Sequence, residues 1–275
     1  MSDILAIAEH RRSVLRDVSY ELLTAGKELA DTTGGTLHTA VISGAVEKFA
    51  DQLNREGVEA IHTVEYGEEF NHDVYVQAVE QLADDLDSQY ILAPNTINGL
   101  DYAPAVAQRL GLPLVTDATA IDASEGLTVT RELYGGKTEG DVDVKGESAL
   151  VTIRPTEWSA IEDVGDATID SFDADIREEG VRSTVKGFEE VGTGCVDISE
   201  ADMLVSVGRG IEEEENLDVI FNLAEAMDAT VSASRPIVDN GWLPQDRQVG
   251  QLGKVVTPDV YIAIGIPVPS SMSLV

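Results

Sequence analysis

Short apolar runs alternate along the first hundred residues with segments whose apolar positions recur every three to four residues. Ile4 to Ala8 is a continuous apolar run that predicts a buried strand. Val18, Leu22, Ala25 and Leu29 then share one helical face, Gly34-Gly35 interrupts the pattern, and Thr36 to Ile42 predicts the next strand. The alternation repeats with a helix near residues 46–55, a strand near 60–64, and a helix marked by Val74, Ala78, Leu82 and Leu86. A strand at Tyr90 to Ala93 ends at Pro94, and a helix follows at Ala103 to Leu110. Strands alternating with helices predict an α/β fold, a mostly parallel sheet with helices on its faces.

From about Ala118 to Arg154 the pattern changes. Leu127 to Tyr134 and Ser148 to Arg154 read as strands joined through glycine turns, expected as antiparallel or edge additions to the sheet. Residues from Pro155 to about 191 are acidic with little period and are expected to cross between domains, partly extended. Near Cys195 a second domain begins. Met203 to Val207 is a buried strand, Gly208-Arg209-Gly210 a tight turn, and Leu217, Ile220, Phe221, Ala224 and Met227 one apolar helical stripe. Glu212 to Glu215 put negative charge at that helix's start, where the macrodipole favours it, and Thr230 to Ala233 returns as a strand in a βαβ unit. The expected organisation is residues 1–190 as an N-terminal α/β domain with the interdomain crossover, and 191–275 as a second domain.

With 275 residues the chain is long enough for two such cores. Its formal net charge of -33 comes from 51 acids against 18 Lys and Arg, with Lys27, Lys48, Lys137, Lys145, Lys186 and Lys254 the only lysines. Nucleic acid and anionic membranes should repel such a chain. An acidic surface could steer a basic partner; a halophilic proteome, in which salt screens dense carboxylates, produces the same balance. The acids are spread along the chain, which favours the second reading. Cys195 is alone, so no internal disulfide forms, as in a reducing cytoplasm. No apolar run has transmembrane length and the N-terminus lacks a signal-peptide pattern.

The chemistry-bearing positions cluster late in the chain. Arg209 follows one apolar strand and Ser234-Arg235 another, so both should project beyond the carboxyl ends of parallel strands, where ligands of open α/β sheets collect. Two guanidiniums there would make an anion site. Gly208-Arg209-Gly210 lacks the spacing of a dinucleotide fingerprint and reads equally as a turn with an exposed Arg. Ser234 and Arg235 could meet a phosphate-bearing, flat cofactor, or Arg235 could form an interdomain salt bridge. Val249-Gly250-Gln251-Leu252-Gly253 could bring amides to a ligand, or be a plain turn before Val255. Trp242 beside Pro244 reads as a packed turn. A second buried strand is expected between Pro258 and Gly265. His10, His38, His62 and His72 have no metal spacing, Asp141-Val-Asp143 lacks the rest of a calcium loop, and no nucleophile elbow or P-loop is present.

Several stretches, taken in order, carry a resemblance: Ile4 to Arg11, Ala93-Pro94-Asn95-Thr96-Ile97-Asn98-Gly99, Val115-Thr116-Asp117, Tyr134 to Lys137, Thr152 to Pro155, Gly208-Arg209-Gly210, and the run from Ser234 to Gly265. The sequence resembles the alpha subunit of electron-transfer flavoproteins over nearly its whole length. That resemblance implies a Rossmann-like second domain that holds FAD, and a heterodimer with a beta subunit. It implies electron flow from dehydrogenases to a quinone reductase or a similar acceptor, the protein being a carrier and not an enzyme. By the resemblance Arg209 would contact the adenosine or phosphate portion of FAD, Ser234 and Arg235 the flavin side, and Val249, Gly250, Gln251 and Leu252 the isoalloxazine edge. Leu252 stands where the family usually has Thr or Ser, so no hydroxyl is supplied there. After Ile266 the family's Ser-Gly-Ala-Ile-Gln-His run is replaced by Pro267-Val-Pro269-Ser-Ser-Met-Ser-Leu-Val275. The second domain is accordingly expected to be incomplete, from a frameshift, a degenerate paralogue or a truncated product. The alternative function is a paralogue that binds no flavin and serves only as a beta-subunit-binding module.

Overall fold

The computed structural model describes residues 3–187, 198, 201–250, 253, 254, 256 and 258–266. The chain divides into two compact units, Met1–Lys186 and Gly187–Val275.

In the first unit β1 (Ile4–Ile7) is buried throughout. It is followed by a hairpin, β2 (His10–Arg11) and β3 (Val14–Leu15), which the sequence pattern does not reveal. Then come α1 (Val18–Thr33), β4 (Leu37–Ile42), α2 (Val46–Leu53), β5 (Val58–Val64), α3 (His72–Asp85), β6 (Tyr90–Pro94) and α4 (Ile97–Leu110). Period-2 alternation splits the core between two faces. Ile4 and Ala6 pack with Leu22, Leu29, Phe49 and Leu53 of α1 and α2. Leu5 and Ile7 pack with Val74, Val79, Tyr102 and Val106 of α3 and α4. Burial of both faces makes these strands continuously apolar, as parallel interior strands are. The helix expected at 103–110 begins earlier, at Ile97, because Thr96 caps it by accepting from the Gly99 amide at 3.1 Å.

The sheet is completed by β7 (Leu114–Asp122), β8 (Thr128–Leu133), β9 (Thr138–Asp143), β10 (Ala149–Ile153) and β11 (Thr168–Ser171), in the order β11-β5-β4-β1-β6-β10-β7-β8-β9. β8 and β9 are antiparallel additions at one edge. The segment Ser148 to Arg154 is not an edge addition: β10 is buried at every residue and lies between β6 and β7, parallel to both. Its unbroken Ala-Leu-Val-Thr-Ile run is that of an interior strand. β9 was hidden by its polar composition, Thr-Glu-Gly-Asp-Val-Asp, which suits an exposed edge.

Residues 155–183 form a belt around the first unit. Thr156 N donates to Glu21 Oε2 at 2.6 Å and Trp158 Nε1 to Glu28 Oε2 at 3.1 Å, both on α1. β11 then pairs parallel with β5. On the opposite face Asp175 N donates to Gln81 Oε1, Arg177 N to Gln77 Oε1, and Arg182 to Asp73, all on α3. The acidic, aperiodic stretch is thus held by side chains of the first unit up to Ser183, whose carbonyl accepts from Asn71 Nδ2 at 2.8 Å.

The second unit contains β12 (Met203–Val207), α5 (Leu217–Ala226), β13 (Thr230–Ala233), α6 (Arg235–Asp239) and β14 (Val260–Ile264). The three strands are parallel, in the order β13-β12-β14. Val205, Val207, Ile220, Ala224, Val231 and Ile237 form the core on the α5 side. β14, expected to be buried, is half exposed, with Tyr261 at 39%. It pairs with β12 alone among the described strands, so one of its sides has no strand neighbour there.

Candidate functional site

The carboxyl edge of the second unit's sheet brings four chain segments side by side. Residues 208–210 follow β12, 234–235 follow β13, Gly265 follows β14, and 248–249 run beside the end of β13. The Ser234 amide donates to Val207 O at 2.9 Å and the Val249 amide to Ala233 O at 2.9 Å. On the other side, Gly208 N donates to Ile264 O at 2.8 Å and Gly210 N to Gly265 O at 2.9 Å. Arg209, Ser234, Arg235, Val249 and Gly250 therefore lie along one edge in strand order.

Each position has a local cause. Arg209 opens a 3-10 turn, and its flanking glycines are there for packing: a Cβ on Gly210 would stand 2.7 Å from the Cα of Gly265, which itself has φ +67. Strand order also reverses here, since the chain passes from β12 to β13 on one side and comes back to β14 on the other, and Arg209 is exposed at that reversal. Ser234 is the N-cap residue of α6 with no side-chain capping bond, and Arg235 is the first residue of that helix. The partner of Arg235 is Asp239, Nε to Oδ2 at 3.3 Å, in an exposed pair one turn apart. Such a pair is weak, and it leaves the guanidinium at the edge. Val249 bridges to Lys254, and Gly250, at φ +119, has open space where a Cβ would project. Gln251 and Leu252 lie outside the described residues, as do Cys195 and Pro267 to Val275. Trp242 is partly buried against the unit's core, a packed turn.

The donor set fits a phosphate-bearing, flat cofactor: two guanidiniums, a hydroxyl free of capping duty, and backbone at an open glycine. By contrast, the first unit's cleft of about 970 Å³ is lined by Glu65, Glu68, Asp173, Asp175 and Glu178, which would repel an anion.

The sequence motifs of the first unit meet in a second cluster, at the carboxyl ends of β6 and β10. Thr152 Oγ1 donates to Asn95 Oδ1 at 2.8 Å, and Asn95 Nδ2 to Asp117 Oδ1 at 3.0 Å. Arg154 grips Asp117 through two bonds, of 2.9 and 2.7 Å, and also reaches Glu132 at 2.8 Å. The Arg154 hydrogen bonds hold the Asp117 carboxyl below the usual range and Asp117 in turn raises the Arg154 guanidinium. Asp117 has φ +66, a left-handed conformation that this clamp sustains. No helix among the described residues is long and apolar enough to cross a membrane, and no group of three or more potential metal ligands forms among them.

Residues 4–177 match the family model of the electron transfer flavoprotein domain, and residues 197–268 that of the electron transfer flavoprotein FAD-binding domain. The chain is similar to the electron transfer flavoprotein subunit alpha of Methylophilus methylotrophus, 38% identical over 271 residues that cover 97% of this chain and 84% of that protein. It is 33% identical to the subunit of the same name from Thermoanaerobacterium thermosaccharolyticum, over 96% of this chain and 82% of that one. It is 30% identical to the protein FixB of Clostridium saccharobutylicum, over 96% and 80%. With both units matched and relatives aligned along almost the whole sequence, the chain belongs to the electron transfer flavoprotein alpha subunit family.

Proposed function

We propose that the chain holds FAD as the alpha subunit of a heterodimeric electron-transfer flavoprotein. It would take electrons from dehydrogenases and pass them to a quinone reductase or a similar acceptor. The observation that carries this reading is the convergence of Arg209, Ser234, Arg235, Val249 and Gly250 on one sheet edge. In the proposed arrangement Arg209, at the strand-order reversal, binds the adenosine or phosphate portion. Ser234 donates from its hydroxyl and Arg235 places positive charge beside the flavin ring. By the family resemblance Val249, Gly250, Gln251 and Leu252 would border that ring, and a leucine at 252 would bring no hydroxyl to it. FAD supplies the electron chemistry, and the chain binds it, orients it and sets the charge around it. No side chain acts as nucleophile or base, so the protein is a carrier. A beta-type subunit is its partner.

Arg235→Ala tests the reading. Loss of a charged hydrogen bond of about 1.5–3 kcal/mol should weaken FAD binding roughly ten- to a hundredfold, read by flavin fluorescence titration of the heterodimer. The helix pair with Asp239 is too exposed for its loss to unfold the unit. Unchanged affinity in Arg235→Ala would remove Arg235 from the site. A stable but colourless wild-type heterodimer would favour the assembly-module alternative.

A further inference from the structure

Strand order fixes where a ligand of the first unit would sit. From β1 the chain moves outward to β4 and β5, then returns to β6 on the other side of β1. In open α/β sheets the crevice beyond the carboxyl ends at such a reversal is the ligand site. Here it is bordered by Glu9, two residues past β1, and Thr96, two residues past β6. The amino end of the fourteen-residue α4 opens onto it.

That crevice is filled by the chain itself. Thr96 Oγ1 donates to Glu9 Oε2 at 2.5 Å and accepts from the Gly99 amide at 3.1 Å, so carboxylate, hydroxyl and helix amide form one chain. Glu9 is only 8% exposed. Its backbone is pinned as well: its amide donates to Ser19 Oγ, which donates back to Glu9 O, both at 3.0 Å. Where a phosphate-cradling fold has a glycine loop after the first strand, this chain has the hairpin β2–β3, turned by Arg12 and Ser13 at positive φ. Tyr102, on α4, is 1% exposed, its hydroxyl makes no hydrogen bond among the described residues, and burial above all, with smaller contributions from Tyr75 and the Glu9 charge, holds its proton on. Burial also lifts the Glu9 carboxyl above its usual range, against the pull of Thr96, Arg16 and Arg11.

We propose that Glu9 is the residue that keeps phosphate-bearing ligands out of the first unit, its carboxylate taking the place of a ligand phosphate at the start of α4. The inference stands on strand order and on the contacts of Glu9, and is independent of the FAD reading for the second unit.

Glycine-labelled full-length chain is titrated with inorganic phosphate and with ADP while the Gly99 amide resonance is followed, a readout confined to the first unit. The wild type should not respond at millimolar ligand, and Glu9→Ala should respond with an affinity at least about tenfold higher. A wild-type response equal to that of Glu9→Ala overturns the proposal, and so does an unresponsive Glu9→Ala with wild-type circular dichroism. If Glu9→Ala does not fold, Glu9→Gln keeps an acceptor for Thr96 without the charge. It should respond more strongly than wild type and melt higher at neutral pH, because a carboxyl raised on folding loses stability as pH climbs through its folded value. A Glu9→Gln titration identical to wild type also overturns the proposal.

Discussion

Gly265 stands at φ +67 with its backbone against that of Gly210, and a Cβ there would lie 2.9 Å from the Gly210 Cα. Gly265→Ala therefore combines a left-handed L-residue with a backbone collision and should cost about 1–3 kcal/mol. Urea unfolding followed by Trp242 fluorescence would show it, and an unchanged midpoint would contradict this packing. The residue illustrates what single positions disclose beforehand. Arg209 and Ser234-Arg235 were legible as strand-end residues because an apolar run followed by a turn residue is a local signal. The partner of the Gly-Arg-Gly turn was not legible, since Gly265 lies 55 residues away along the chain. Glu9 was equally hidden: a charged residue after a strand reads as solvated surface, and only the return of β6 to the side of β1 encloses it.

Between β4 and β5, His38 Nδ1 and His62 Nε2 are 3.1 Å apart. Burial lowers the proton affinity of both below the ordinary value of 6.5, with His38 adding to the effect on His62, despite Asp3, Glu59 and Asp170 near His38 and Asp170 and Asp85 near His62. A base whose affinity falls on folding contributes stability that is present above its unfolded value and is lost as pH drops below it. Stability measured by urea should thus decline from about pH 6.5 downward, and His62→Gln should flatten that decline. A wild-type profile flat from pH 7 to 5 would refute this account of the pair. At this scale most periodic helices and interior strands were readable, because burial of one or both faces imposes a period, but β7 was not anticipated as a strand and α4 begins at Ile97, ahead of the expected Ala103. The belt was not, since its hold comes from Glu21, Glu28, Gln77 and Gln81, polar helix side chains whose distant partners leave no local signal.

The balance of -33 acts on the molecule as a whole. Mutual repulsion of the carboxylates favours expansion, and the distance over which it acts shrinks from about 10 Å at 0.1 M salt to about 3 Å at 1 M. Raising KCl across that range should increase the melting temperature by several degrees, and a fall would contradict a fold limited by its own charge. Composition alone exposes this property, whereas sheet order, which depends on pairings between distant segments, is not written in any local window.

The place of β10 has a consequence for biosynthesis. The strand is translated after the β8–β9 hairpin yet lies between β6 and β7, which emerge earlier. A nascent chain that ends before residue 149 has a seam down the middle of its sheet, two unsatisfied strand flanks facing each other. Vectorial folding of the first unit can form the β1–β6 half while the ribosome works, but has to wait for Ile153 before that seam closes. Until then those flanks are open to wrong partners, so a pause in translation just upstream of Ala149 is where this protein would be most exposed to misassembly.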